Sequence, residues 1–394
     1  MNDWEQRKLG SLASFSKGNG YTKKDLAEKG YPTILYGRLY TQYKTVINTV
    51  DTFVKKKDNS VVSEGNEVIV PASGETSEDI SRAAVVGKSG IILGGDLNII
   101  KPNKKIDSTF LALTISNGTQ QKEMSKRAQG KSVVHLHNSD LKQISLLYPN
   151  IIEQQKIGTF FKQLDNTITL HQRKLDLLKQ LKQAYLQKIF PKNGEDKPEI
   201  RFTEFKENWE QRKLGEEVIF YSGLTYSPDN IIDGEGTLVL RSSNVQNSEV
   251  VDADNVYVNP DIVNSSNVQV GDVIVVVRNG SRSLIGKHAV ITKEMPNTVI
   301  GAFMTGIQSD ETGFTNVLLD TQQFNVEIHK NLGATINQIT TGEFKKMKFY
   351  FPDKAKQITI GNFFKIINAT ITLHQLKIEK LKQLKSAFLQ KMFI

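Results

Sequence analysis

Two Gly-Lys-Ser triplets, at 87–89 and 130–132, are the first residues here that could do chemistry, since a glycine turn before a lysine can cradle a nucleotide phosphate. A phosphate loop needs a further glycine five places upstream, where this chain has Arg82 and Ser125. The spacing rules it out. Asn259-Pro260-Asp261 is a poor echo of the Asn-Pro-Pro-aromatic motif that an amino-methyltransferase uses on a flipped base. No glycine-rich dinucleotide turn lies between a clear strand and helix, and there is no G-x-S-x-G elbow. With no cysteine, the chain has no disulfide, thiolate metal site or cysteine nucleophile. Its six histidines show no HExxH or paired-ligand spacing, so a metal site is not expected. These residues describe a scaffold that reads something rather than one that performs a reaction.

A net charge of +9 points to a polyanionic partner. Its location narrows that statement. Residues 153–190 carry seven Lys/Arg against three Asp/Glu, and 353–394 carry eight against two, so the other regions sum to about zero. Nucleic-acid binding by the globular parts must therefore rest on local patches, and the charges at 153–190 and 353–394 also suit a solvated helix face. Loops at 17–22, 72–79 and 127–132, rich in Gly, Ser, Thr and Lys/Arg, are natural binding loops, as are 278–282 and 340–343.

The elements that must position these loops come in duplicate. Residues 157–190 and 360–393 share the blocks FFK, TITLHQ, LKQLK and LQK at a constant offset of 203 residues. In the first copy Ile157, Phe161, Leu164, Ile168, His171, Leu175 and Leu178 recur in steps of four and three, the pattern of a helix packed on another helix. The second copy repeats it with Ile360, Phe364, Ile367, Ile371, His374, Ile378 and Leu381. After Leu178 the stripe is expected to continue through Leu181, Tyr185 and Ile189, a local change of heptad phase, with Leu384, Phe388 and Met392 in the second copy. Each helix would be roughly 50 Å long, and its natural partner is its own copy. His171 and His374 are read as tolerated polar residues in the seam.

The duplication extends beyond the helices, because WEQRKLG occurs at 4–10 and again at 209–215. The expected organisation is a globular domain at 1–150, a helix at 151–192, a linker at 193–203, a second domain at 204–352 and a second helix at 353–394. Two prolines and an Asn-Gly in PKNGEDKP, 191–198, end the first helix. Strands are expected at 32–35, 67–70, 83–86 and 91–93, and at 237–240, 272–277 and 289–292, giving mixed, mainly β domains of the α+β class. QGKS at 129–132 and TTGE at 340–343 should each precede a helix start. No run of 18 apolar residues exists and MNDWEQRKLG has no signal-peptide core, so a cytoplasmic protein without membrane segments is expected.

The chain resembles the DNA specificity subunit of type I restriction–modification systems over essentially its full length. The resemblance rests on the G-x-F-F, T-I-x-x-x-Q and L-K-x-x-x-L-x-x-I/M-F segments at 158–161, 167–172 and 181–190, repeated at 361–364, 370–375 and 384–393. W-E-x-x-K-L-G and the loop SGETSEDI at 73–80 also look like this family. PEIRFTEF, at 198–205, has no counterpart before the first WEQRKLG. The resemblance implies two target-recognition domains separated by two long α-helices in an intramolecular antiparallel coiled coil with pseudo-two-fold symmetry. Each domain would grip one half of a bipartite, asymmetric site in double-stranded DNA. Two modification subunits using S-adenosylmethionine would methylate adenines, and restriction subunits, ATP-dependent translocases and nucleases using Mg2+, would join for cleavage. The chain itself would bind no cofactor and carry no activity.

On that reading, specificity comes from side chains reaching base edges in the major groove. The candidates in the first domain are Lys17, Asn19, Tyr21, Lys23, Arg38, Tyr40, Ser73, Glu75, Thr76, Arg82, Arg127 and Lys131. In the second they are Tyr226, Ser227, Arg241, Asn244, Arg278, Asn279, Ser281, Arg282, Lys287 and Lys345. Two rival readings are a stand-alone regulator with two DNA-binding domains and a methyltransferase fused to its reader. The long duplicated rods argue against the first, and the missing cofactor turn argues against the second.

Overall fold

The apolar spacing of the duplicated segments produces two helices of 39 residues, Ile151–Ile189 and Lys354–Met392. The computed structural model describes residues 4–128, 130, 133–192, 194–202, 208–332 and 337–393. Its contacts divide the chain into one unit of Met1–Gln172 with Leu376–Ile394 and another of Arg173–Gln375, so each unit takes part of both helices. In the first unit the paired segments are antiparallel: Phe160 meets the Phe388 ring edge-on at 5.2 Å, and Asp165 accepts from Lys385 at 2.5 Å. In the second, Tyr185 meets Phe363 at 5.0 Å. Ile157, Phe161, Leu164 and Leu175 are buried, as are Ile360, Phe364, Ile367, His374 and Ile378. Ile168, His171, Leu178, Ile371 and Leu381 are half-buried at the remaining seam positions.

The expected change of heptad phase does not occur. Leu181 and Leu384 are 44% and 45% exposed, and the next residues, Lys182 and Lys385, continue the uninterrupted four-three rhythm instead. A lysine holds an apolar position in each helix because a carboxylate meets it: Asp320 accepts from Lys182 at 2.8 Å, as Asp165 does from Lys385. By apolarity alone the stripe falls on the adjacent leucine.

Each unit folds its globular part on one plan. In the first, the sheet order is Ala13–Lys17, Leu97–Pro102, Glu67–Pro71, Ala84–Val86, with Val46–Ile47 at the edge. In the second it is Ile219–Ser222, Met304–Gln308, Val273–Val276, His288–Val290. A smaller sheet repeats likewise: Ile92–Leu93 runs parallel to Tyr31–Ile34 and Thr298–Ile300 parallel to Thr237–Leu240. The central strands Glu67–Pro71, Ala84–Val86 and Val273–Val276 are near-continuous apolar runs buried throughout, as expected of strands covered on both faces, while Ala13–Lys17 and Ile219–Ser222 at the edges are largely exposed or half-buried. Each core closes within its unit, around Phe110 and Phe161 in one and around Phe314, Phe324 and Phe364 in the other.

The shared heptapeptide forms the strands Glu5–Lys8 and Glu210–Lys213, each antiparallel to the strand just before a long helix, Ser145–Tyr148 or Lys348–Phe351. Leu9 and Leu214 are fully buried, and their N–H groups donate to Ile144 O and Met347 O at 2.8 Å in both cases. A Cβ on Gly10 or Gly215 would meet the Cβ of Lys142 or Lys345 at 3.0 and 2.8 Å. Close packing against the root of this lysine thus accounts for the motif's glycine.

The glycine of each G-x-F-F segment also marks a close crossing. A Cβ on Gly361 would lie 2.9 Å from Phe314 N and 3.0 Å from Gly313 C, both backbone atoms that cannot yield. At Gly158 the nearest atoms, Asp107 Oδ1 and Thr109 Cβ, stand at 3.2 Å. We predict that Gly361→Val destabilises by about 2–3 kcal/mol through overpacking, and Gly158→Val by less. Thermal unfolding decides it, and equal losses at both positions would refute the backbone argument.

Candidate nucleic-acid interface

The sequence candidates divide by what their polar atoms already touch. In the first unit Tyr21 is buried, with its hydroxyl against Ser60 Oγ at 2.5 Å and donating to Lys55 O at 3.3 Å. Arg38, its side chain 10% exposed, binds Asp51 at 2.5 Å. Tyr40 donates to Ser73 O at 2.7 Å, and burial, with the Asp79 charge, pushes its phenol pKa up. Thr76 accepts from Asp79 N at 3.1 Å, capping the helix Ser77–Ile80, and Asp79 also pairs with Arg82 at 3.3 Å. Arg127 pairs with Glu123 at 3.0 Å, and Asn19 donates to Asn59 O at 3.1 Å. Lys17, Lys23 and Glu75 are exposed, Ser73 is half-buried, and Lys131 lies outside the described residues.

In the second unit Tyr226 packs on Leu224 and Val239, and Ser227 donates to Asn230 Oδ1 at 2.9 Å. Arg241 pairs with Asp254 at 2.6 Å, and the fully buried Asn244 donates to Ala253 O at 2.7 Å. These groups hold their own loops in shape. Arg278, Asn279, Ser281 and Arg282 share one loop that opens from the strand Val273–Val276, and Lys287, exposed, closes it. The Arg278 guanidinium lies 4.8 Å over the Phe303 ring. Asn279 donates to Ser242 Oγ at 3.0 Å, Ser281 meets Ser283 at 2.9 Å, and Arg282 reaches His329 O at 3.5 Å. Lys345 is exposed on the helix Thr341–Lys346, its stem against Gly215.

The expected pairing of 129–132 with 340–343 as loops before a helix changes. Thr340 is itself the N-cap of Thr341–Lys346, exchanging hydrogen bonds with Glu343 at 2.7 and 3.2 Å. Its counterpart is His137, whose N–H donates to Asp140 at 2.9 Å ahead of Asn138–Lys142. Gln129, Lys131 and Ser132 lie outside the described residues.

Beneath the loop at 278–287 sits a buried charge network. Asp320, the C-cap of Thr312–Leu319, lies between Lys182 and His288, whose Nε2 stands at 3.3 Å, an ion-pair distance without hydrogen-bond alignment. Burial opposes its ionisation, but His288 and Lys182 outweigh burial and hold its carboxyl pKa down at about 2. His288 Nδ1 reaches Gly286 O at 3.0 Å, at the foot of the loop carrying Arg278 and Arg282. In the first unit the matching C-cap is Ser116, and a recess of about 160 Å3 remains beside it, lined by Tyr43, Arg82 and Lys385 among others.

Among the described residues, no group of three His, Cys, Asp or Glu side chains could hold a metal ion, and no helix is long and apolar enough to cross a membrane. Two copies of one α+β domain, each rooted on paired long helices and each presenting different side chains at matched positions, define a duplicated recognition scaffold. The chain belongs to the type I restriction modification DNA specificity domain family, which it matches over residues 1–180 and 206–383. It is 22% identical over 398 residues to the type I restriction enzyme MjaVIII specificity subunit of Methanocaldococcus jannaschii, covering 97% of this chain and 90% of that one. The StySPI specificity subunit of Salmonella potsdam is 22% identical over 193 residues, covering 47% of this chain and 41% of the relative. The S subunit of a type I restriction-modification system from M. genitalium has the same fold, with a TM-score of 0.64 at 14% identity over 100% of this chain and 96% of that one. The HsdS subunit from Thermoanaerobacter tengcongensis is similar at a TM-score of 0.52 and 15% identity, covering 99% and 96%.

Proposed function

We propose that this chain is the DNA-reading subunit of a type I restriction–modification complex, each globular domain recognising one half of a bipartite, asymmetric site. One observation carries the reading: a single domain plan occurs twice with different outward-facing chemistry, within a chain of the specificity family. The length of the paired helices sets the gap between half-sites, as the spacing of two modules does in dimeric readers. The chain holds no cofactor and no catalytic group. Methyl transfer to adenine belongs to two partner subunits that use S-adenosylmethionine, and cleavage to partners that use ATP and Mg2+.

The outer faces of the helices supply docking surface for the modification subunits. In the first unit Ile152, Leu170 and Leu376 are 62%, 66% and 50% exposed, and in the second Leu177, Ile366 and Leu373 are 64%, 68% and 64% exposed. Singly such side chains need no partner, and what supports the docking surface is that exposed apolar residues recur on the long helices in both units. The test is to co-express the chain with its neighbouring methyltransferase and map N6-methyladenine across a genome. A bipartite motif that appears only with this chain supports the proposal, and methylation independent of it refutes the proposal.

A further inference from the structure

One hydrogen-bond pattern recurs at the ends of the central strands and places six side chains in register. In the first unit, beyond Glu67–Pro71, Ala72 N donates to Asp96 O at 2.9 Å and Leu136 N donates to Ala72 O at 3.0 Å. In the second, beyond Val273–Val276, Val277 N donates to Phe303 O and Ile339 N to Val277 O, both at 2.9 Å. Ala72 therefore corresponds to Val277, Leu136 to Ile339 and Asp96 to Phe303. Ser73 pairs with His135 across an antiparallel ladder, and Arg278 pairs with Gln338 across an antiparallel bridge. Ser73 thus corresponds to Arg278 and His135 to Gln338. Ala72, Leu136, Val277 and Ile339 are buried, so the alternation of a strand turns Ser73, His135, Arg278 and Gln338 outward.

The backbone is common to the two sites and the chemistry is not. The first presents a hydroxyl, a carboxylate and an imidazole; the second presents a guanidinium, an aromatic ring and an amide. Each set is braced. Arg278 lies over Phe303, itself 52% exposed, and the His135 ring lies parallel to His137, with centroids 6.4 Å apart. These are groups that distinguish base edges: Arg suits guanine O6 and N7, Gln suits adenine N6 and N7, Asp accepts from cytosine N4, and an apolar ring meets the thymine methyl.

We propose that Ser73, Asp96 and His135 in the first unit, and Arg278, Phe303 and Gln338 in the second, are matched specificity-determining residues, one set for each half-site. This rests on the DNA-reading function above and names the side chains that perform it. Asp96, His135, Phe303 and Gln338 stand far from their partners in sequence; the strand register brings the backbones together, and in the second unit Arg278 meets Phe303 directly.

The test uses the complex assembled with its modification subunits. Arg278→Ala, Arg278→Gln and Gln338→Ala should each relax one base of one half-site, with discrimination against the wrong base falling on the order of 10- to 100-fold. His135→Ala and Asp96→Ala should do the same in the other half-site. Non-specific DNA affinity and the salt slope should stay as in the wild type, which a phosphate contact would change. Uniform weakening across all sequences, or an unaltered motif in every variant, overturns the assignment. If the wild-type complex itself yields no bipartite motif, the DNA-reading function fails and the assignment falls with it; a normal wild-type motif confines failure to the substituted residues Asp96, His135, Arg278 and Gln338.

Discussion

Replacing residues 11–150 with the corresponding part of a related chain should change one half of the methylated motif completely and leave the other half as it was. The expectation follows from where the cores close. Phe110, Leu111, Met124 and Leu141 pack with Ile157, Phe161 and Phe393, all inside the first unit. The second unit closes its own core on Trp209, Phe314, Phe324 and Phe364. A mismatch at a recognised base pair costs about 1–3 kcal/mol, so several exchanged contacts move preference by orders of magnitude. The donor must keep an apolar residue at Phe110, which lies 5.9 Å from the Phe393 ring, or the exchanged domain will not seat on its helix. Methylation mapping of the chimera gives the answer. If both half-sites change together, the domains do not read independently.

Much of this architecture was open to sequence reasoning because it is local or repeated. The 203-residue offset exposed both helices, the heptad steps named their seam, and the apolar run at 237–240 became the strand Thr237–Leu240 itself. Lys182 and Lys385 were hidden because their place in the seam depends on carboxylates elsewhere in the chain, and Asp320 is 138 residues from Lys182. The interface was harder still. Arg, Lys, Tyr and Asn in loops are equally suited to touching DNA and to holding the loop, and Arg38, Tyr40, Arg241 and Asn244 each have a partner within their own domain. His135 and Gln338 gave no local signal, since their relevance comes from facing Ser73 and Arg278 across strands.

Removing the Asp320 carboxylate should destabilise the second unit as much as truncating one of its buried aromatic residues. Lys182 and Asp320 are each 16% exposed, and His288 is 6% exposed, so Asp320→Ala leaves a buried ammonium facing an imidazole with no anion between them. Breaking such a pair from one side costs about 3–5 kcal/mol, because the desolvated charge that remains is uncompensated. For a unit of this size the melting temperature should fall by roughly 10 °C. Replacing the pair together, Lys182→Met with Asp320→Leu, removes both charges and should recover most of the loss. Acid titration offers a second measurement of the same network. The carboxyl titrates at about 2 in the fold and at 3.8 when unperturbed, so its stabilisation is complete above the higher value and disappears as pH falls through the lower. The difference is worth about 2 kcal/mol, and it should vanish in the double variant. Hydrogen exchange should place the opening in the second unit, whose loop at Gly286 is tied to Asp320 through His288. A loss below about 1 kcal/mol for Asp320→Ala would mean that water reaches Lys182, and the seam lysine would then be an ordinary surface charge.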